Sequence, residues 1–292
     1  MWSIPYGESD DELGIIRRRE GHELLVPAAL TALPGGSFAV LDPVKQRLVL
    51  VDSGGVVGRS VATVPQVASD VAWDPVGERL IAIGNESKGS LVEVRLPDQV
   101  AEVTLNRPVS RLLQSSAGVF EYGANGYREK DGITAVPDPL GQYRSSGTSS
   151  LLLEDGSAVT FSSNRDGDRW VIGRSDGWSL TLRFAGVNGP AEPALSLEDD
   201  VVEQDGYLYI AAKVGAYVTT TAKPVLLVMK IDLGTGAVVK SEIVRECGLS
   251  SDSNVVSRIT VDEGGTLYQA CAGPRAAAEK GQRGFLRGSI LT

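Results

Sequence analysis

The chain has 292 residues, with 28 Lys plus Arg against 37 Asp plus Glu, a formal net charge of −9, and a single histidine, His22. This acidity argues against general nucleic-acid binding, which needs a basic stripe to displace counterions, and one histidine excludes a His-rich zinc site and disfavours a His-dependent triad. A core at this length can bury roughly three quarters of the unfolded surface, so no disulfide or metal framework is required. No stretch approaches the roughly 20 consecutive apolar residues of a spanning helix.

The N-terminus, Met1-Trp2-Ser3-Ile4-Pro5-Tyr6, has neither a basic n-region nor an apolar h-region and runs directly into Glu8, Asp10, Asp11 and Glu12. It does not read as a signal peptide, which leaves an intracellular protein or the mature piece of a longer precursor. Leu13-Gly14-Ile15-Ile16-Arg17-Arg18 then reads as a strand standing ahead of the first complete unit. Arg17, Arg18 and Arg19 are expected to be edge charges that block stray strand pairing.

From there on, short β-branched runs alternate with glycine-bearing turns, and helical periodicity is nearly absent. The glycines of the inner turns, Gly36, Gly77, Gly118, Gly156, Gly206 and Gly264 or Gly265, recur about every 40 residues, the later spacings being wider. Each is followed by an apolar second strand: Ser37 to Leu41, Arg79 to Ile83, Val119 to Tyr122, Ser157 to Phe161, Tyr207 to Ala211 and Thr266 to Ala270. Third strands are expected at Arg47 to Asp52, Leu91 to Leu96, Trp170 to Arg174, Val225 to Asp232 and Phe285 to Leu291. Fourth strands follow at Val56 to Thr63, Ala101 to Leu105, Ser179 to Phe184 and Ala237 to Arg245. Between Gly123 and Gly141 the strand signal is broken.

This pattern predicts an all-β, six-bladed β-propeller in which residues 1–292 form one domain. The last unit stops at its third strand, so the N-terminal strand, about residues 11–19, is expected to supply the outer strand of the last blade and close the ring, removing open sheet edges.

Pro27 to Asp42, followed by Lys45 to Asp52, looks like an NHL-type repeat of six-bladed propellers, and the preceding Gly7 to Gly14 is similar to the linker joining such repeats. The second, fifth and sixth units share the resemblance in part. It rests on turn and core positions, so it implies the fold and little about function.

Cys247 follows the outer strand of unit five and Cys271 ends the second strand of unit six. Second and fourth strands of a meander run in the same direction, so both cysteines are expected on one face in neighbouring loops. A disulfide between them would close a short loop, contribute about 3 kcal/mol in the chain-entropy model, and place the protein in an oxidising compartment. The alternative is two buried free thiols.

The long second-to-third-strand connections, Ser162 to Arg169, Val214 to Lys223 and Ala272 to Gly284, belong to the late units and are expected on that same face. Exposed insertions on a rigid scaffold are the usual place for recognition. The binding candidates are Arg165, Tyr217, Arg275, Lys280 and Arg283, with Thr219, Thr220 and Thr221 beside the tyrosine; the alternative is solvated insertions without a partner.

Two metal readings compete with recognition. Asn164-Arg165-Asp166-Gly167-Asp168 mimics the start of a calcium loop, but Arg169 and Ser175 stand where the turn glycine and the closing Glu belong, so Asp166 and Asp168 read as a polar turn. Glu198-Asp199-Asp200 opens an inner strand, and resemblance to gluconolactonase-type propellers would make Asp199 and Asp200, with Asp70 and Asp252 at comparable strand starts, metal ligands in a central channel. The strand motifs of that family are absent, and Arg111 occupies a position where a ligand would be wanted. Asn85-Glu86-Ser87 fits a glycosylation sequon, and the single Trp73-Asp74 lies at the wrong place for a WD repeat.

The expected function is a non-catalytic binding module, extracytoplasmic or at a cell surface, recognising a protein or glycan, with no cofactor, no nucleic acid and no membrane insertion. The alternatives are a metal-dependent lactonase or esterase and a purely structural spacer.

Overall fold

A computed structural model of the chain describes residues 2–17, 24–97, 99–104, 109, 111–122, 128–129, 149–163, 169–183, 200–214, 225–245, 259–271 and 284–288. The chain is all-β, built of four-stranded antiparallel meanders, the blade unit of a propeller. It divides into two compact units: Met1–Leu112 with Cys247–Ile290 and Thr292, and Leu113–Glu246 with Leu291.

The first unit holds three four-stranded sheets. One runs Ala29–Ala32, Phe38–Asp42, Arg47–Val51, Val57–Thr63, and the next Val71–Asp74, Arg79–Asn85, Ser90–Arg95, Gln99–Thr104. The last sheet runs Ile259–Val261, Leu267–Cys271, Gly284–Gly288, Trp2–Ile4. Burial falls from inner to outer strand. Phe38–Asp42 is buried throughout and Gln99–Thr104 is almost wholly exposed. This gradient explains why second strands are continuous apolar runs: with both faces covered, the simple in–out alternation of a half-buried strand disappears. Ala28, Ala29, Ala32 and Ala39 are small where the first sheet meets its neighbours.

Neighbouring inner strands are tied by one repeated device. Thr260 Oγ1 accepts the Ala32 N–H at 2.8 Å, joining the last sheet to the first, and Thr31 Oγ1 accepts the Trp73 N–H at 3.2 Å, joining the first to the second. At the corresponding step into the next inner strand Ala72 carries no hydroxyl, and Asp70 substitutes by accepting the Leu112 N–H at 2.9 Å. Phe38 and Tyr268 add an edge-to-face ring contact between the first and last sheets, centroids 4.8 Å apart.

The outer strand of the last sheet departs from expectation. It is N-terminal, but it is Trp2–Ile4, paired antiparallel with Leu286, Phe285 and Gly284, and not residues 11–19. Ile16–Arg17 pairs instead with Leu24–Leu25 in a separate two-stranded ribbon. The reason lies in the segment between. The Leu13 N–H donates to the Pro5 carbonyl and the Gly7 N–H to the Leu13 carbonyl, folding residues 5–13 into a compact strap. Two cations of the first sheet hold the strap through its backbone: Lys45 donates to the carbonyls of Ser9 and Glu12, and Arg47 to those of Asp10 and Glu12. Asp42 accepts the Gly14 N–H at 3.0 Å. With the acidic run committed to this strap, only the residues before Pro5 reach the last sheet. Arg18 and Arg19 lie outside the described residues.

The second unit holds a complete sheet, Ser149–Leu152, Ala158–Ser163, Arg169–Arg174, Ser179–Arg183, and another, Asp200–Gln204, Tyr207–Val214, Val225–Asp232, Val238–Arg245. The weak middle unit contributes Gly118–Tyr122 and Arg128–Glu129 beside Arg111–Ser115, and one parallel bridge, Gln114 to Val202, joins this set to the sheet that starts at Asp200. Among the described residues of this unit, Leu113, Leu151, Phe161, Trp170, Leu208, Ile210 and Met229 belong to one buried apolar cluster.

The glycine punctuation is observed in the turns. Gly36, Gly118, Gly156, Gly206 and Gly265 all have positive φ, a conformation that costs other residues about 1 kcal/mol or more. Asp205 and Gly206, both at positive φ between the paired Gln204 and Tyr207, form the two-residue hairpin such a dipeptide favours. Gly77 differs: the positive φ falls on Glu78.

Candidate functional site

The sequence Asp-Pro-Val-x-x-Arg occurs twice, at Asp42 to Arg47 and Asp74 to Arg79. In each case Pro starts the turn, the residue before Arg takes positive φ, and Asp and Arg end directly opposite one another. Asp74 Oδ2 meets Arg79 Nε at 2.9 Å, and Arg79 Nη1 reaches Glu93 Oε2 at 3.0 Å, all with little solvent contact. Asp42 receives Arg47 at 3.4 Å. These pairs stand at opposite ends of their sheets, because one closes a second-to-third-strand turn and the other a first-to-second-strand turn.

Among the described residues the most buried charge pair is Asp70 with Arg111, at 3.3 Å. Asp70 Oδ1 accepts the Val71 N–H, and its Oδ2 accepts the Leu112 N–H and Arg111 Nε. Asp70 thus clamps the backbone of Val71 and Leu112, and Arg111 supplies its countercharge.

Other described acidic groups are engaged likewise. Asp52 and Asp262 each accept two backbone N–H groups within their glycine turns. Glu203 accepts both the N–H and the hydroxyl of Ser116, at 2.6 and 2.7 Å. The Asp155 carboxyl is held below its ordinary value, chiefly by the Ser157 hydroxyl and N–H with help from the Arg174 charge, and Asp232 is lowered by the Thr235 hydroxyl and N–H. Tyr268 is raised by burial and by its hydrogen bond to Asp262. Among the described residues no group of three or more His, Cys, Asp or Glu is arranged to hold a metal.

The connections that sequence singled out leave from one end of each sheet. Pro43 to Gln46 and Glu86 to Gly89 are tight turns in the first two sheets, closed by Gln46 N–H to Pro43 and Gly89 N–H to Glu86. The late units differ. Residues 164–168 lie between strands ending at Ser163 and starting at Arg169, residues 215–224 between the paired Val214 and Val225, and residues 272–283 between strands whose last paired residues are Cys271 and Phe285. Val225 also pairs with Arg245, and Asp200 with Ala211, so the 215–224 connection, the end of the outer strand and the start of the inner strand share one end of that sheet.

Arg165, Asp166, Asp168, Asp199, Tyr217, Cys247, Asp252, Arg275, Lys280 and Arg283 lie outside the described residues. Asp200 begins the inner strand of its sheet and Cys271 ends the second strand of the last sheet, where sequence placed each. Sequence reading missed the strap held by Lys45 and Arg47 and the paired Asp-Pro-Val-x-x-Arg turns. The repeated motif was the available signal for the turns. For the strap there was none, because its acceptors are backbone carbonyls.

No family model and no curated protein matches the chain. Solved structures to which it is similar include a protein of unknown function from Bacteroides thetaiotaomicron, 13% identical with a TM-score of 0.49 over 98% of this chain and 74% of that one. A streptogramin B lyase is 11% identical, TM-score 0.48, over 90% of this chain and 93% of that one. A gluconolactonase from Xanthomonas campestris is 13% identical, TM-score 0.43, over 93% and 95%. These neighbours are propeller-type proteins, and they include both enzymes and proteins of unknown function.

Proposed function

We propose that the chain is a non-catalytic, NHL-like propeller of six blades that recognises a protein or glycan through its late second-to-third-strand connections. The reading is carried by one contrast in length: tight turns of four residues, 43–46 and 86–89, join the second and third strands of the first two sheets, whereas the connections 215–224 and 272–283 of the last two units have ten and twelve residues. It is supported by the described carboxylates, such as Asp42, Asp70, Asp74 and Glu203, whose oxygens are spent on backbone N–H groups and arginines. Arg165, Tyr217, Arg275, Lys280 and Arg283 are the contact residues, and their mixture of aromatic and cationic groups suits an acidic protein surface or a charged glycan. The Cys247–Cys271 bridge and an extracytoplasmic setting belong to the same proposal.

The test is binding to an immobilised panel of acidic glycans and acidic surface proteins, comparing the native chain with the variant Arg275→Glu/Lys280→Glu/Arg283→Glu. Binding falls at least tenfold in the variant with the melting temperature unchanged; equal binding by both rejects the reading. Thiol counting under denaturing, non-reducing conditions finds no free thiol if the bridge is formed and two if it is not.

A further inference from the structure

The strap over residues 5–13 closes most of its backbone bonds within itself. The Leu13 N–H donates to the Pro5 carbonyl, the Gly7 N–H to the Leu13 carbonyl and the Glu12 N–H to the Ser9 carbonyl, while the Glu12 carboxylate accepts the Ser9 N–H at 2.9 Å. Three kinds of contact tie the segment 2–14 to the first and last sheets. Trp2–Ile4 pairs with Gly284, Phe285 and Leu286 of the last sheet. Ile4 and Leu13 are buried in an apolar cluster with Leu30, Phe38, Val40 and Val49. The polar contacts come from one corner of the first sheet, where Lys45 and Arg47 donate to strap carbonyls and Asp42 accepts the Gly14 N–H. The other strand pairs of both sheets do not run through this segment: the first sheet keeps its four strands, and Ile259–Val261, Leu267–Cys271 and Gly284–Gly288 stay paired with one another. A short strand and an exposed loop from Glu8 to Asp11, attached at few points to sheets that are paired without them, belong at the low-stability end of local opening.

We propose that residues 2–14 form one latch, which opens as a unit ahead of the rest of the protein and whose catch is Asp42, Lys45 and Arg47. The strap holds the Pro5 carbonyl, immediately after the closing strand, and so delivers Trp2–Ile4 to the edge of Gly284–Gly288 at a short effective loop length. Losing the catch therefore releases the strand as well as the strap. Opening uncovers the backbone edge of Gly284–Gly288 and the apolar surface beneath Ile4 and Leu13, and it leaves the other strand pairs of both sheets in place. Two single substitutions reach the catch from opposite sides. Lys45→Met removes the donor to the Ser9 and Glu12 carbonyls and leaves the Asp42–Arg47 pair intact. At Gly14 a Cβ would stand 2.5 Å from Val44 Cβ and 2.8 Å from Asp42 Oδ1, so Gly14→Ala pushes the strap off the corner that holds it.

Amide hydrogen exchange read by mass spectrometry on the full chain, in rising urea below the unfolding transition, tests it. In the native protein the amides of residues 2–14 and 284–286 exchange together, with a common dependence on urea, and well before those of Phe38–Asp42. Lys45→Met and Gly14→Ala each speed that same set by about tenfold, the loss expected for a charged hydrogen bond, and leave Phe38–Asp42 unchanged. Lys45→Arg, which still donates to both carbonyls, exchanges close to the native rate. The native urea series decides the matter even where a variant fails to fold. Exchange at residues 2–4 that is uncoupled from 5–14, strap amides as protected as Phe38–Asp42, or variants that speed Phe38–Asp42 equally overturns the proposal, and so does a Lys45→Met that changes nothing.

Discussion

Gly77 and Gly206 sit in corresponding turns and are required for different reasons. Gly206 has a φ of 76° with nothing within 4 Å of where a Cβ would stand, so a side chain there meets only backbone strain. At Gly77 a Cβ would lie 2.5 Å from Asp74 Oδ2 and 2.7 Å from Arg79 Nε, inside the buried pair. Gly206→Ala should therefore cost about 1 kcal/mol. Gly77→Ala should cost about 3 kcal/mol, because it displaces one partner of a buried pair. Chemical denaturation of both variants checks the order, and equal losses would refute the distinction. The lowered Asp155 and Asp232 make a second residue-scale prediction. Their folded values lie below the ordinary 3.8, so the unfolded chain takes up protons first as pH falls. The stability they confer is complete above pH 3.8 and is lost as pH drops from there through the folded values. Asp155→Asn and Asp232→Asn should flatten stability across that window and leave its pH dependence above 5 unchanged, as urea denaturation at stepped pH would show. Tyr268 acts at the other end of the scale: its raised value means that stability is complete below pH 10 and declines as pH rises toward the folded value.

At the scale of elements, the threonine seams link sequence to assembly most directly. Thr260 and Thr31 occupy the same place on successive inner strands, and each satisfies a backbone N–H that sheet pairing leaves over. Replacing either with Val keeps the shape and removes the acceptor, which should cost about 1–2 kcal/mol, while Thr→Ser should keep most of it. Loss of equal size in the Ser and Val variants would show that packing, not the hydrogen bond, matters. Strand positions were legible in the sequence because each second strand is an apolar run bounded by a turn with its own chemistry, as at Asp205-Gly206. Pairing across the termini was half legible. A missing fourth strand in the last sheet called for an N-terminal partner, but apolar character pointed to Leu13 to Arg18, whereas Trp2–Ile4 is used. The choice depended on Lys45 and Arg47 gripping carbonyls of the strap, and cation-to-carbonyl bonds leave no pattern in side chains.

For the whole molecule, Asp42, Asp70 and Asp74 are each paired with an arginine, and such one-to-one pairs leave the net charge of −9 unchanged, so it rests on the other carboxylates. Under the proposed binding role no bound cation is required, and chelator treatment should then leave both melting temperature and partner binding unchanged. A melting temperature raised by added calcium or zinc, with lactone hydrolysis that chelator abolishes, would instead establish the metal-dependent alternative.

The sequence by itself determined the all-β class, the glycine-set turns and the second, third and fourth strands it located, because these follow from local backbone preference and from burial on one or both faces. It also marked the late connections as the long ones. Only the tertiary structure decided which N-terminal residues complete the last sheet, that Asp70 clamps Arg111 and the Leu112 N–H, and that threonines stitch one inner strand to the next. Those outcomes rest on contacts between residues far apart in the chain, whose partners are chosen by geometry and not by neighbouring sequence.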